Sequence, residues 1–335
     1  MYIARMDTMI YSILVSFIIS LAAGYVGVPL LKRLKLGQQV RDDGPQTHLS
    51  KAGTPTMGGI IIVLALVITT FIFRTGSYRY ILFSLGVTVG FSLIGLLDDL
   101  IIVVKKRSLG LRAYQKIIGQ TGIAIITAAF AYTNPQIGSK LIVPFAGVEW
   151  DLGVWYIPFT VISVVLIVNS VNLTDGLDGL ASGITIINSA AYMIIFYGIL
   201  QNLSGQYLEA SDTLNMAVFS AALTGACLGF LRFNTYPAKV FMGDTGAFAL
   251  GGALSVIVVV SRLQLLLIIT GFMFLLTSIS VILQVGSYKL RKKRVFKMAP
   301  LHHHFELKGV PETKIVAFYM LITIALCLLG ILAVK

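Results

Sequence analysis

Apolar residues in this chain fall in long, nearly unbroken runs. They show neither the alternation of a half-buried strand nor the three-and-four spacing of an amphipathic helix. A bilayer span needs about 20 mainly apolar residues. Runs at 9–31, 57–73, 80–97, 117–133, 154–170, 184–200, 213–230, 245–260, 263–285 and 315–334 predict ten transmembrane helices. The ninth contains Gly271 and is expected to bend or tilt. The first follows Arg5, is long enough to span and lacks a small-x-small cleavage site, so it reads as a retained helix. β-type residues on either side of Ala146-Gly147 predict a small outer hairpin over 141–151. The expected fold is an all-α polytopic membrane protein, with residues 1–335 as one integral-membrane domain.

Composition agrees. Apolar types make up 57% of the 335 residues and charged types 12%, against about 25% charged in a soluble domain. Mean hydropathy is +0.89. A soluble globule, a disordered chain and a coiled coil are excluded. The net charge of +12 would suggest nucleic acid in a soluble protein. Here its distribution gives topology instead, with no nucleic-acid partner. Of the 26 Lys and Arg residues, 20 lie in the segments 32–56, 98–116, 171–183, 231–244 and 286–314. The other 6 lie in the alternate loops and at the two ends. By the positive-inside rule the first set is cytoplasmic and both termini are outside, in the extracellular or periplasmic space. Cys227 and Cys327 sit inside apolar runs, so no disulfide framework or Cys-x-x-Cys metal site is expected. No strong internal repeat supports an inverted-repeat transporter.

Nine of the 14 acidic residues fall on the cytoplasmic side. Glu306 and Glu312 lie in a strongly basic loop and read as balancing it. The aspartates sit among Gly, Asn and Thr at span ends. Asp98-Asp99 closes the third run, and adjacent carboxylates repel unless a cation offsets them. Lys105-Lys106-Arg107 reads as membrane anchoring, whereas Lys116, at the start of the next run, is placed to reach into a site. In Asn169-Ser-Val-Asn-Leu-Thr-Asp-Gly-Leu-Asp-Gly-Leu-Ala-Ser-Gly183, the residues Asn169, Asn172, Asp175 and Asp178 recur every three positions. That spacing puts them on one helix face. An EF-hand register is absent. Asn234-Thr-Tyr-Pro-Ala-Lys-Val-Phe-Met-Gly-Asp244-Thr-Gly246 sets a carboxylate at the start of the eighth helix. It reads as a helix N-cap or as a ligand for magnesium bridging to phosphate. In Pro300-Leu-His-His-His-Phe-Glu306, three successive histidines do not converge on one zinc ion, and they suit phosphate contacts or an ordinary surface loop. The 41–59 loop, with Lys51 and Thr56, is rich in Gly, Pro and Thr and suits phosphate binding, but holds no Walker A motif. This inventory points to phosphoryl-group transfer at the membrane surface, where positioning and charge neutralisation supply most of the catalysis.

These motifs resemble those of the polyprenyl-phosphate N-acetylhexosamine-1-phosphate transferases over essentially the whole chain. The Asp98-Asp99 pair, Asn172-Leu-Thr-Asp-Gly-Leu-Asp-Gly179 and Phe241-Met-Gly-Asp-Thr-Gly246 are the widely shared marks. Pro300–Glu306 resembles the mark of the muramoyl-pentapeptide branch. The resemblance implies ten helices, a bacterial cytoplasmic-membrane location and an active site on the cytoplasmic face. It also implies Mg2+ as cofactor and a homodimer in the lipid bilayer. The implied reaction moves phospho-N-acetylmuramoyl-pentapeptide from UDP-MurNAc-pentapeptide to undecaprenyl phosphate, giving lipid I and UMP. The implied catalytic residues are Asp98, Asp99, Asp244 and His303, with Asp244 as magnesium ligand. Lys51, Thr56, Lys116, Asn169, Asn172, Asp175, Gly176, Leu177, Asp178, Asn234, Phe241, His302 and His304 would contact substrate, Phe241 by stacking. Two alternatives stand beside this one. A sister enzyme would transfer N-acetylglucosamine-1-phosphate, and a lipid or solute transporter would place its charges near the bilayer midplane.

Overall fold

The computed structural model describes residues 2–34, 53–105, 110–203 and 207–334. Lys51, with the first part of its loop, and the basic pair Lys106-Arg107 lie outside these residues. The described helices are α1 (Tyr2–Arg33), α2 (Gly59–Phe73), α3 (Arg79–Lys105), α4 (Ala113–Thr133), α5 (Tyr156–Thr174), α6 (Leu180–Asn202), α7 (Tyr207–Asn234), α8 (Gly243–Val260), α9 (Leu267–Thr270), α10 (Phe272–Arg291), α11 (Leu301–Glu306) and α12 (Glu312–Leu332). Each predicted apolar run lies mainly on one of them, or on α9 and α10 together. Eight of the helices are long and apolar enough to cross a membrane. α2 is apolar but has only 15 residues.

The ninth run is interrupted where its glycine falls. α9 stops at Thr270, Gly271 leaves the helical conformation, and α10 starts at Phe272. Strands β1 (Lys140–Ile142) and β2 (Glu149–Asp151) form the expected hairpin, antiparallel with Leu141 opposite Trp150. Glu149 pairs with Lys140 and with Arg262 just beyond α8, and Ile142 N–H bonds to the Arg262 carbonyl. These contacts tie the hairpin to the end of the bundle opposite Asp98 and Asp244.

α7 and α8 form the centre, with 89% and 83% of their apolar windows buried, against 22% for α1. Lipid tails are as apolar as Leu, so these helices are held by close packing and interhelical hydrogen bonds. Ser16 and Ser20 of α1 donate to the carbonyls of Ala222 and Ala226 on α7, at 2.6 and 2.8 Å. α3 lies against the start of α8 because residue 95 is glycine. A Cβ there would overlap the carbonyl of Asp244. At the α2–α8 crossing a Cβ on Gly59 would likewise run into Gly246.

Two sequence expectations change. α3 continues past the end of its apolar run to Lys105, so Asp98 and Asp99 lie within a helix, both buried beneath α8. Conversely, α5 ends at Thr174, so only Asn169 and Asn172 share a helix face. Asp175 and Asp178 belong to the turn that follows, because the chain reverses through Gly176 and Gly179, the latter at φ +79°.

Candidate functional site

The aspartates gather at one end of the bundle around a lysine. Lys116, in the first turn of α4, lies 2.9 Å from Asp98 Oδ2 and 2.7 Å from Asp244 Oδ2. It is thus a cation between two carboxylates, one on α3 and one on α8, that would otherwise repel. The other Asp98 oxygen accepts the Leu111 N–H at 2.6 Å. The other Asp244 oxygen accepts from the Asn172 amide at 2.8 Å. Asn172 is reached from the last turn of α5, so α3, α4, α5 and α8 all contribute to one contact set.

Asp99 plays a different part. Its Oδ1 accepts the Asp244 N–H at 3.2 Å, and its Oδ2 accepts the Thr245 N–H at 3.0 Å and the Thr245 hydroxyl at 2.6 Å. The first amides of a helix have no partner within it and carry the positive end of its dipole. Asp99 supplies that cap from a neighbouring helix. Asp244, which sequence alone leaves as either cap or ligand, is therefore released from capping and turns its carboxylate to Lys116 and Asn172.

The 175–179 turn borders this set. Burial pushes the Asp175 carboxyl well above the usual carboxylate range, reinforced by the charges of Asp244, Asp99 and Asp178. Such a group gains from any cation or hydrogen-bond donor that enters. Leu177 is buried. Asp178 is buried as well, and its Oδ2 accepts the Ala238 N–H at 2.9 Å. The Asn234 side-chain Oδ1 accepts from Gly179 N–H and Ser182 hydroxyl, both at 3.2 Å, while its Nδ2 donates to the Val240 carbonyl. Asp178 and Asn234 are thus committed to holding backbone. Asn169 bonds to Gln120 of α4 at 2.6 Å.

On the other flank, Phe241 N–H bonds to the Pro55 carbonyl, and Gly58 N–H to the Phe241 carbonyl. These bonds fix Phe241, half-exposed, beside buried Thr56. Of the three histidines of α11, His302 and His303 share one side with rings 4.3 Å apart, and His304 turns away. His302 is fully buried against Gly176, where a Cβ would strike its ring. His303 Nδ1 lies 2.6 Å from Glu306 and also faces Gly176. His304 turns to the preceding loop. Its Nδ1 accepts the Lys297 N–H at 3.0 Å and its ring packs on Phe296.

The structure therefore brings Asp98, Asp99, Lys116, Asn172, Asp175 and Asp244 together, with Gly176, His302 and His303 alongside. The contacts of His304 lie elsewhere, and Lys51 is outside the described residues. Sequence reasoning missed Glu306, which pairs with His303, and Glu312, whose Oε1 accepts the Asp178 N–H at 2.6 Å. The available signal was Pro311 followed by Glu312 at a helix start. It also missed Gln120.

The site's chemistry is that of a charge clamp with an excess of carboxylates over cations. Among the described residues no three His, Cys, Asp or Glu side chains are grouped as a metal cage. Asp244, whose side chain is partly exposed, is the kind of carboxylate that magnesium takes, the rest of its octahedron being water and phosphate oxygens.

The family model described as glycosyl transferase family 4 matches residues 81–262, from Ile81 in α3 to Arg262 beyond α8. A phospho-N-acetylmuramoyl-pentapeptide-transferase signature matches residues 51–63. Curated relatives cover nearly the whole chain. The phospho-N-acetylmuramoyl-pentapeptide-transferase of Clostridium novyi (strain NT) is 46% identical over 98% of this chain and 97% of its own length. That of Clostridioides difficile (strain 630) is 47% identical over 97% of each. That of Caldanaerobacter subterraneus subsp. tengcongensis is 47% identical over 94% of this chain and 95% of its own.

Proposed function

The chain belongs to the phospho-N-acetylmuramoyl-pentapeptide transferases, and from that premise we propose how it moves phospho-N-acetylmuramoyl-pentapeptide from UDP to undecaprenyl phosphate. An oxygen of the lipid phosphate attacks the sugar-bearing phosphorus of the UDP substrate. The new P–O bond forms as the bond to the bridging oxygen breaks, and that oxygen leaves on UMP. The product is the polyprenyl-diphospho-muramoyl-pentapeptide, lipid I.

The observation that carries the mechanism is Lys116 held between Asp98 and Asp244. The second pKa of a phosphate monoester is about 6, so the attacking oxygen is already ionised near neutral pH. Asp98 is then needed less as a base than as the group that aims Lys116. Lys116 offers its remaining ammonium proton to the phosphate oxygens, where charge accumulates as the phosphoryl group passes. Asp99 orients the start of α8 and Asn172 fixes the rotamer of Asp244. Mg2+, bound through Asp244, would supply a positive charge shared with the diphosphate. The 175–178 turn and Phe241 would hold the nucleotide. His303, oriented by Glu306, would face the sugar phosphate.

The charge distribution supports ten passes, both termini outside and this site at the cytoplasmic face of a bacterial membrane. A homodimer is part of the same proposal. The test supplies purified protein with UDP-MurNAc-pentapeptide, undecaprenyl phosphate and Mg2+, and follows UMP and lipid product by mass spectrometry. Conversion that stops on chelation with EDTA is expected. Preference for UDP-N-acetylglucosamine would move the chain to the sister activity, and flux into liposomes without conversion would favour a transporter.

A further inference from the structure

We infer that Glu312 is a positioning residue for the nucleotide pocket, acting through the backbone of the 175–179 turn. The inference rests on the reading above that this turn contacts the UDP substrate.

The turn joins α5 to α6 through two glycines, one of them at φ +79°, so its own conformational preference holds it weakly. Its shape comes from outside. The α7–α8 connection fixes one side through Ala238 on the Asp178 carboxylate and Asn234 on Gly179. The other side is fixed by α12, 134 residues further along the chain, where Glu312 Oε1 takes the Asp178 N–H at 2.6 Å. A Glu in the first turn of a helix ordinarily faces its own helix's free amides. In α12 the carboxylate reaches across to another element instead.

The consequence is geometric. Asp178 is held from both ends, by its side chain at Ala238 and by its amide at Glu312. The three residues before it carry the Asp175 carboxyl and the Gly176 backbone, against which His302 lies. Removing the Glu312 bond lets the peptide between Leu177 and Asp178 rotate, and Asp175 moves with it. Lys116, Asp98 and Asp244 hang on other helices and keep their contacts. The defect therefore falls on nucleotide binding and spares the chemical step.

The experiment compares Glu312→Ala, Glu312→Gln and Glu312→Asp with the unmodified chain in detergent. It reads initial rates against each substrate separately, with melting temperature measured alongside. One charge-assisted hydrogen bond corresponds to roughly 10-fold or more in binding. Glu312→Ala is expected to raise KM for the UDP substrate about 10-fold, leaving kcat and the KM for polyprenyl phosphate within about 3-fold. Glu312→Gln, whose amide oxygen accepts the same N–H, is expected to restore most of that loss. Glu312→Asp, one methylene shorter, is expected to resemble Glu312→Ala and replaces it if the alanine variant does not fold. An unchanged KM in both Glu312→Ala and Glu312→Asp, an equal rise for both substrates, or a glutamine variant as poor as alanine would overturn the inference. If the unmodified chain releases no UMP, the proposed function itself fails, whatever the variants do.

Discussion

Replacing Lys116 by methionine keeps an unbranched apolar stem of nearly the same length and removes the ammonium with its charge and donors. Two contacts go with it, at 2.9 Å to Asp98 and 2.7 Å to Asp244. Hydrogen bonds to charged groups are worth about 1.5–3 kcal/mol each. The lysine side chain is 25% exposed, so solvent screening puts both nearer the lower figure. The relief of burying no ammonium in the variant is offset because buried Asp98 loses its cation, so stability is expected to fall by about 3 kcal/mol. The catalytic loss is separate. Removing one preorganised donor from developing oxyanion charge costs about 10²–10³ in kcat. Lys116→Arg is not conservative, because a planar guanidinium does not fit a gap shaped for a point charge between two carboxylates. The assay is single-turnover UMP release at saturating substrates, with melting temperature taken with and without Mg2+. The expected result is a kcat lower by at least 10² in a folded protein whose stabilisation by Mg2+ persists, because Asp244 loses a competing cation. A Lys116→Met enzyme with kcat within tenfold of the unmodified chain would refute the clamp.

Other outcomes follow from the same contacts. Asp99→Ala strips the cap from α8 and is expected to lower stability by about 1–2 kcal/mol, with activity falling through displacement of Asp244; an unchanged melting temperature would contradict it. Gly95→Ala forces a methyl group against the Asp244 carbonyl and is expected to cost about 1–3 kcal/mol and most activity, measured by thermal unfolding and UMP release. Hydrogen bonding and charge from Lys140 and Arg262 hold Glu149 below the usual carboxylate range. Their contribution is therefore complete above that range and lost as pH falls through the lowered value. Amide exchange at Ile142 should quicken there relative to the rest of the bundle, and Glu149→Gln should abolish the difference.

Much of this was legible in the sequence for physical reasons that can be named. Bilayer thickness dictates the length of apolar runs, so the helices could be read, and glycine's weak helix preference marked the break at Gly271. Carboxylates at span ends are costly without a purpose, which picked out Asp98, Asp175 and Asp244. Lys116 stood out from the basic cluster because it begins a span. What stayed hidden depends on contacts between distant segments. Asp98 and Asp99 are neighbours with the same chemistry, and only the packing of α8 makes one an anchor for Lys116 and the other a helix cap. The three-residue spacing from Asn169 to Asp178 was real, but the glycines ended the helix midway. Glu312 looked like charge balance in a basic loop, since its partner, the Asp178 amide, is set by how α12 returns to the bundle; Glu306 pairs with His303 three residues earlier, a local contact that shows only once α11 is known to be a helix. The three histidines are chemically equal in sequence, and only the winding of α11 sets His302 and His303 beside Gly176 and His304 toward Lys297.

The claim on which the account turns is that one carboxylate–lysine cluster performs phosphoryl transfer between a nucleotide-linked sugar and a lipid phosphate. It is tested most directly by mass spectrometry of products from the purified protein and from Asp244→Ala, supplied with UDP-MurNAc-pentapeptide, undecaprenyl phosphate and Mg2+. The account predicts UMP and the polyprenyl-diphospho-sugar in equal amounts from the first and neither from the second, with both proteins folded. Full turnover by Asp244→Ala, or sugar transfer that leaves UDP as the product, would contradict it.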